Sequence, residues 1–359
     1  MQKLNVAIIG QGRSGKGIHG EFLHKEENLW FDVKYVVDAS EKRREIAKAE
    51  WPGATVLASH TELYGKKDID LVVNATYSHY HAPVTRDLLE NGFNVLCEKP
   101  FGRTAYECDT LIRIAEEKGV KLYVFQQSFY APFYRFLLDV IKTKKIGEIV
   151  AIDIKYNKLG RRWDWQTLQC MLGGNAYNTG PHPFGFALGF LGFADDAHVA
   201  WSLMKNTPLF AGDSDNFCRA ILTAAGKPAV EVEISDIDEY TDYTIKLQGA
   251  FGTLKCTPNS YTLKYVPLAD NVAREPIMTY LENDKNEPIY CREQLTTVTE
   301  EGDFGGTAFD IGTRELYKNI YENITEGKEM YVTAKMASRI VGVIEAIHAQ
   351  NPLEVRYHN

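Results

Sequence analysis

With 359 residues the chain is too long for one ordinary hydrophobic core and suits two domains. Its 45% hydrophobic and 25% charged residues are those of a soluble globular protein, and it has no run of eighteen apolar residues to span a membrane. A formal charge of −8 argues against the basic surface that a nucleic-acid partner requires, which leaves small molecules as the expected ligands.

A strand, LNVAIIG, begins almost at once, with no basic segment and cleavable apolar run before it, so a cytoplasmic protein is expected. The six cysteines, Cys97, Cys108, Cys170, Cys218, Cys256 and Cys291, show no Cys-x-x-Cys pair and no zinc spacing. They are expected to be reduced and mostly buried, and no metal site is expected. Asn323-Ile324-Thr325 fits a glycosylation sequon by coincidence.

Up to about residue 125, short runs rich in Val, Ile, Leu or Phe alternate with amphipathic stretches. Strands are predicted at Leu4–Ile9, Val33–Val37, Thr55–Ala58, Leu71–Ala75, Asn94–Cys97 and Lys121–Phe125. Thr104 to Glu107 has the spacing of a capping box, and Gly119 stands where that helix would end. Such an alternation implies α/β architecture, a doubly wound parallel sheet in residues 1–126. A helix is predicted over Ala131–Lys145, after which β-patterned stretches dominate: Ile149–Tyr156, His198–Leu203, Phe217–Thr223, Ala229–Ser235, Tyr243–Leu247, Thr253–Cys256 and Tyr261–Tyr265. Their alternation suits an antiparallel sheet with one covered face, so residues 127–359 form an expected α+β domain closed by helices at Asp310–Gly327 and Thr333–Gln350.

The first strand runs into Gly10-Gln11-Gly12-Arg13-Ser14-Gly15, a G-x-G-x-x-G at a strand-to-helix turn. Glycines there let backbone N–H groups approach a pyrophosphate at a helix N-terminus. Asp38 closes the second strand, where its carboxylate can accept from a ribose 2′-OH and would repel a 2′-phosphate, which favours NAD over NADP. Arg43 and Arg44 in SEKRREIAKAE read as a solvated helix face. Gly10 to Lys16 also fits G-x-x-x-x-G-K, but Gly17 stands where a triphosphatase needs Ser or Thr, and that reading is rejected.

Further along, Glu98-Lys99-Pro100 ends the fifth strand, where ligands of an open parallel sheet gather, although a Lys-Pro pair can also simply mark an exposed strand end. GGNAYNTGPHP at 173–183 places Asn178 and His182 four apart, on one face if that stretch is helical.

These segments, GQGRSG, NATYSHYHAP, LLENGFNVLCEKPFG, IKTKKIGEI and GGNAYNTGPHP, together resemble the glucose–fructose oxidoreductase, inositol dehydrogenase and MocA family over nearly the whole chain. The resemblance implies a Rossmann domain followed by a domain whose open sheet often forms a subunit interface, hence a homodimer or homotetramer. It also implies hydride transfer between a nicotinamide dinucleotide and a secondary alcohol or ketone of a sugar, glycoside or cyclitol. By the same resemblance Lys99 contacts substrate and nicotinamide, His182 is the acid/base, and Thr76, His81 and Glu98 lie near the cofactor, with Tyr77 and Ser78 in place of the usual Pro and Asn. Asn178 replaces a usual aspartate, so His182 is expected to be less basic than in relatives unless a carboxylate such as Asp164 approaches it. His19, near the phosphate turn, needs no function. The Arg161-Arg162-Trp163-Asp164-Trp165 segment is equally a candidate for substrate contacts and for subunit contacts. Two alternatives remain: a glycosidase-like enzyme that uses transient oxidation by tightly held NAD, and a dinucleotide-binding sugar sensor without chemistry, against which Lys99 and His182 count.

Overall fold

The computed structural model describes residues 2–267, 269 and 273–358. Its first half winds β1 (Leu4–Ile9), a turn at Gly15–Gly20, α1 (Glu21–His24), β2 (Phe31–Val37), α2 (Glu41–Glu50), β3 (Thr55–Leu57), β4 (Leu71–Asn74), α3 (His81–Glu90), β5 (Val95–Cys97), α4 (Ala105–Lys118) and β6 (Leu122–Val124). The strands form one parallel sheet in the order β3-β2-β1-β4-β5-β6. Val6–Ile9, Leu71–Val73 and Val95–Cys97 are buried, as strands covered on both faces require. The chain changes its direction of winding between β1 and β4, which opens a crevice at their carboxyl ends.

Of the expected capping box, half forms. Thr104 Oγ1 accepts from Glu107 N at 3.1 Å, but the Glu107 carboxylate accepts from Arg103 N at 2.7 Å. Gly119 ends α4 in the left-handed region (φ +66°).

The second half continues with α5 (Pro132–Thr143), β7 (Ile149–Asn157), α6 (Asn175–Asn178), α7 (Pro181–Phe190), β8 (His198–Lys205), β9 (Phe217–Thr223), β10 (Ala229–Ser235), β11 (Ile245–Gly249), β12 (Gly252–Cys256), β13 (Ser260–Tyr265), β14 (Val298–Asp303), α8 (Thr313–Glu326) and α9 (Ala334–Gln350). Its eight strands lie in the order β14-β13-β12-β11-β7-β10-β9-β8, antiparallel except for the β7–β10 pair. Ile152, Ile154, Val230, Val232, Leu247 and Leu254 are buried on one face. The other face carries cross-strand ion pairs, Arg219 with Glu231 and Glu233, Lys155 with Glu233 and Lys246 with Asp153.

The boundary expected near residue 126 is not a break in the core. One apolar cluster joins Val6 and Ile8 of β1 to Leu316, Tyr317 and Ile320 of α8 and on to Ile152 and Val232 of the second sheet. On the opposite face of the first sheet, Ala337 and Val341 of α9 join Leu88, Leu111 and Val124. Cys97, Cys108, Cys218 and Cys256 are buried, whereas Cys291 is exposed. Among the described residues no helix is long and apolar enough to cross a membrane.

Candidate active site

A cleft of about 990 Å³ runs from the carboxyl ends of β1 and β2 to the segment between β7 and α7. At one end lies the glycine loop. Gly10 (φ +92°) passes so close to β4 that a Cβ would sit 2.3 Å from Ala75 O, and a Cβ on Gly15 would strike Gly10 O. Only glycine fits these two positions. A Cβ on Gly12, by contrast, would meet only Arg43 Nη1, at 3.9 Å. The bare backbone facing the cleft at Gly12, Arg13 and Ser14 therefore fits a pyrophosphate at a helix start. After Gly15 the helix is wound wide, with Glu21 N reaching back five residues to Lys16 O.

Asp38 lies at the end of β2, buried but lining the cleft. Its Oδ2 accepts from Gln11 N at 2.7 Å and its Oδ1 from Ser40 N at 2.8 Å, which locks the carboxylate against the loop. Arg43, read from sequence as solvated, instead lines the cleft with Nη1 3.6 Å from Asp38 Oδ2. Arg44 donates to the carbonyls of Asp38 and Ala39.

Thr76 and His81 lie after β4. The Thr76 hydroxyl donates to Asn74 Oδ1 at 2.8 Å. The His81 ring lies between Pro100 O (Nδ1, 2.8 Å) and Thr76 O (Nε2, 3.1 Å), so it buckles the ends of β4 and β5 together. Burial lowers its pKa.

At the end of β5, Glu98 and Lys99 diverge. Glu98 is buried, with Oε1 3.2 Å from His19 Nε2, while His19 Nδ1 lies 2.8 Å from the Tyr317 hydroxyl of α8. His19, given no role by its sequence position, thus links the glycine-loop helix, β5 and the second half of the chain. Burial alone would raise the pKa of Glu98. The hydrogen bond and charge of His19, with Lys99 and His81 nearby, outweigh it and hold the carboxyl down at about 2. The Lys99 ammonium donates to Asn178 O at 2.7 Å. Burial, helped by Arg13 and Arg162 and opposed by Glu98, pushes its pKa below the usual value.

Asn178 and His182 both line the cleft but do not hold each other. Asn178 Oδ1 accepts from Gln166 Nε2 at 3.1 Å; Gln166 is bonded in turn by Arg162, whose Nε meets Asp164 Oδ2 at 2.8 Å. His182 Nδ1 lies 3.0 Å from Ser128 Oγ. Asp164, the carboxylate considered for His182, is thus taken by Arg162. Burial and then the charge of Lys99 push the His182 pKa down to about 3.

The 161–165 segment faces the cleft in part. Arg162, Asp164 and Trp165 line the cleft, whereas Arg161 does not and Trp163 is 76% exposed. In an extended stretch alternate side chains point to opposite sides, so of the expected segment Arg162 and Asp164 reach the cleft while Arg161 and Trp163 do not, and Trp165 reaches it from the start of the following turn. Trp165 meets Tyr77 edge to face at 5.1 Å across the cleft. Sequence reasoning missed Ser128 and Gln166 as parts of the site. Ser128 follows β6, and the strand-end rule that singles out Lys99 would have found it.

A parallel sheet wound about a glycine loop, joined to a mostly antiparallel open-faced sheet, has the architecture of an NAD(P)-dependent oxidoreductase. Residues 4–126 match the oxidoreductase family with NAD-binding Rossmann fold, GFO_IDH_MocA. The chain is 24% identical over 342 residues to the uncharacterized oxidoreductase YhhX of Escherichia coli K12, with 92% of this chain and 91% of that one covered. It is 28% identical over 181 residues to the scyllo-inositol 2-dehydrogenase (NADP(+)) IolW of Bacillus subtilis 168, which covers 50% of this chain and 49% of that one. In fold it is similar to the crystal structure of the 3-ketoreductase KijD10 from Actinomadura kijaniata, in complex with NADP and TDP-benzene (TM-score 0.77, 16% identity, 98% of each chain).

Proposed function

We propose that the protein transfers hydride between NAD and a secondary alcohol or ketone of a sugar, glycoside or cyclitol. The observation that carries this reading is the pairing of Lys99, fixed by Asn178 O, with a neutral buried His182 in the cleft that begins at the glycine loop. The dinucleotide supplies, when bound, the acceptor or donor of hydride. Lys99 donates to the substrate oxygen and stabilises the charge that develops there. With its Nδ1–H donated to Ser128 Oγ, His182 keeps the Nε2 lone pair for the hydroxyl proton, and it returns that proton in the reverse direction.

Asp38 supports NAD over NADP, because a 2′-phosphate would face its carboxylate and Arg43 is already paired with that group. The name of IolW supports a cyclitol or sugar as the substrate. Nicotinamide absorbance, followed with NAD and NADP against aldoses, glycosides and inositols, tests the reading. Lys99→Ala is expected to lose turnover and keep dinucleotide affinity, and Asp38→Ala to weaken NAD more than NADP. Full activity of Lys99→Ala would overturn the mechanism. The ion-paired open face of the second sheet, with Trp201 46% exposed on its edge strand, supports a homodimer or homotetramer, which light scattering would show as two or four chain masses; a single chain mass would refute it.

A further inference from the structure

A second cavity, of about 460 Å³, opens beyond β7 and β10 between α6 and the 241–244 segment. Lys158 and Thr179 line both it and the main cleft, so the two adjoin across these side chains. Thr179 follows Asn178, whose carbonyl holds Lys99, so the junction lies one residue from the reactive lysine's anchor. The volume is within the roughly 300–1,000 Å³ of small-molecule sites.

The wall is chemically specific. Asp236 is 3% exposed, and among the described residues its one ion pair is with the Lys158 ammonium, at 3.4 Å and itself mostly in solvent, while the buried Asp215 carboxylate lies close enough to feel its charge. A carboxylate so buried accepts more hydrogen bonds than one outer lysine supplies. Thr179, Thr241, Tyr243 and Asn157 line the same wall, and the buried Asn157 Oδ1 has no hydrogen-bond partner among the described residues. Lysine charge at this wall is already matched, Lys158 by Asp236 and Lys155 by Glu233 at 3.6 Å, which disfavours a phosphate or carboxylate. The Asp236 carboxylate, the unpaired Asn157 Oδ1 and the neighbouring threonines suit a ring that donates several hydroxyl protons.

We infer that this cavity is a subsite for a second glycosyl unit, so that the substrate is a disaccharide or larger glycoside oxidised or reduced on the ring held at Lys99 and His182. The inference rests on the proposed sugar chemistry of the main cleft, and the test separates the two. Calorimetric titration of the NADH-loaded protein with cellobiose, maltose, lactose and trehalose, each against its constituent monosaccharides, reads the subsite by binding alone. At least one disaccharide is expected to bind roughly tenfold or more tightly than its monosaccharides, the scale of one hydrogen bond to a charged acceptor. Asp236→Asn, which keeps the shape, and Asp242→Trp, which fills the cavity from its exposed rim, are each expected to remove that advantage and leave monosaccharide binding unchanged. Equal binding of disaccharide and monosaccharide, no disaccharide binding at all, or an advantage that survives both variants would overturn the subsite. Nicotinamide absorbance is followed in parallel. Retained disaccharide selectivity without absorbance change would sink the dehydrogenase reading and leave the subsite standing.

Discussion

His182 and Asn178 are neighbours in sequence spacing, yet the fold commits them to different partners, Ser128 and Gln166. With the carboxylates nearby held by other groups, burial and Lys99 dominate, and His182 stays neutral down to about pH 3. A neutral buried histidine makes the sign of the linkage plain. Its contribution to stability is full above the ordinary value of 6.5 and falls as acidification drives the unfolded chain, but not the folded one, to take up the proton. For catalysis it means that the base form persists through neutral pH, so kcat/KM for oxidation should show no acid limb near 6.5 in the wild type. Asn178→Asp puts a carboxylate beside both Lys99 and His182 and should raise both pKa values, bringing an acid limb into the measured range. An unmoved pH–rate profile would mean that side chain 178 and His182 do not interact. The identity of Asn178 was legible in the sequence and so was the missing charge. Its capture by Gln166 was not, because that contact depends on a short turn whose direction no local pattern records.

The glycines around Asn178 explain how an element of four residues can be held so firmly. A Cβ on Gly173 would lie 2.4 Å from Gln166 O, one on Gly174 2.2 Å from Asp215 Oδ1, and one on Gly180 2.1 Å from Ala176 O. Gly174 also has φ +96°. Gly174→Ala therefore meets both backbone strain, about 1–3 kcal/mol, and a clash with a buried carboxylate. It should lower the melting temperature and reduce kcat by displacing the Asn178 carbonyl from Lys99, with dinucleotide affinity retained. Unchanged turnover in a folded variant would show that α6 does not position Lys99. At this scale the sequence was most legible where period and burial coincide. β1, β4 and β5 are apolar on both faces, and β9 and β10 alternate. It was least legible at β14, whose VTEEGD carries no apolar pattern and is recruited by backbone pairing with β13. The 161–165 segment shows a related limit: residue types marked it as functional, but which of its side chains faced the cleft depended on a tertiary bridge between Arg162 and Phe210.

On the scale of the molecule, the last two helices undo the division suggested by the order of strands. Tyr317 of α8 is fully buried, stacks on Phe22 at 4.8 Å, meets Phe31 edge to face at 5.5 Å and bonds His19. α9 gives Ala337 and Val341 to the far side of the first sheet while Ile340, Ile344 and Ile347 face the other cluster. Lys335 and Ser338 bond Asp109 of α4, and Ala105 N donates to Glu345. A Rossmann sheet stripped of these helices would expose Val6, Ile8, Leu111 and Val124 to water, at about 25 cal/mol per Å² of apolar surface. The two halves should consequently unfold together. Calorimetry is expected to give one transition whose van't Hoff and calorimetric enthalpies agree, and Tyr317→Ala should shift that transition downward as a whole rather than split it. Two resolved transitions in the wild type would mean that the helices are a loose cover and that the cleft opens between independently stable domains. A single one ties the geometry of Glu98 and Lys99, through His19 and Tyr317, to the folding of the entire chain.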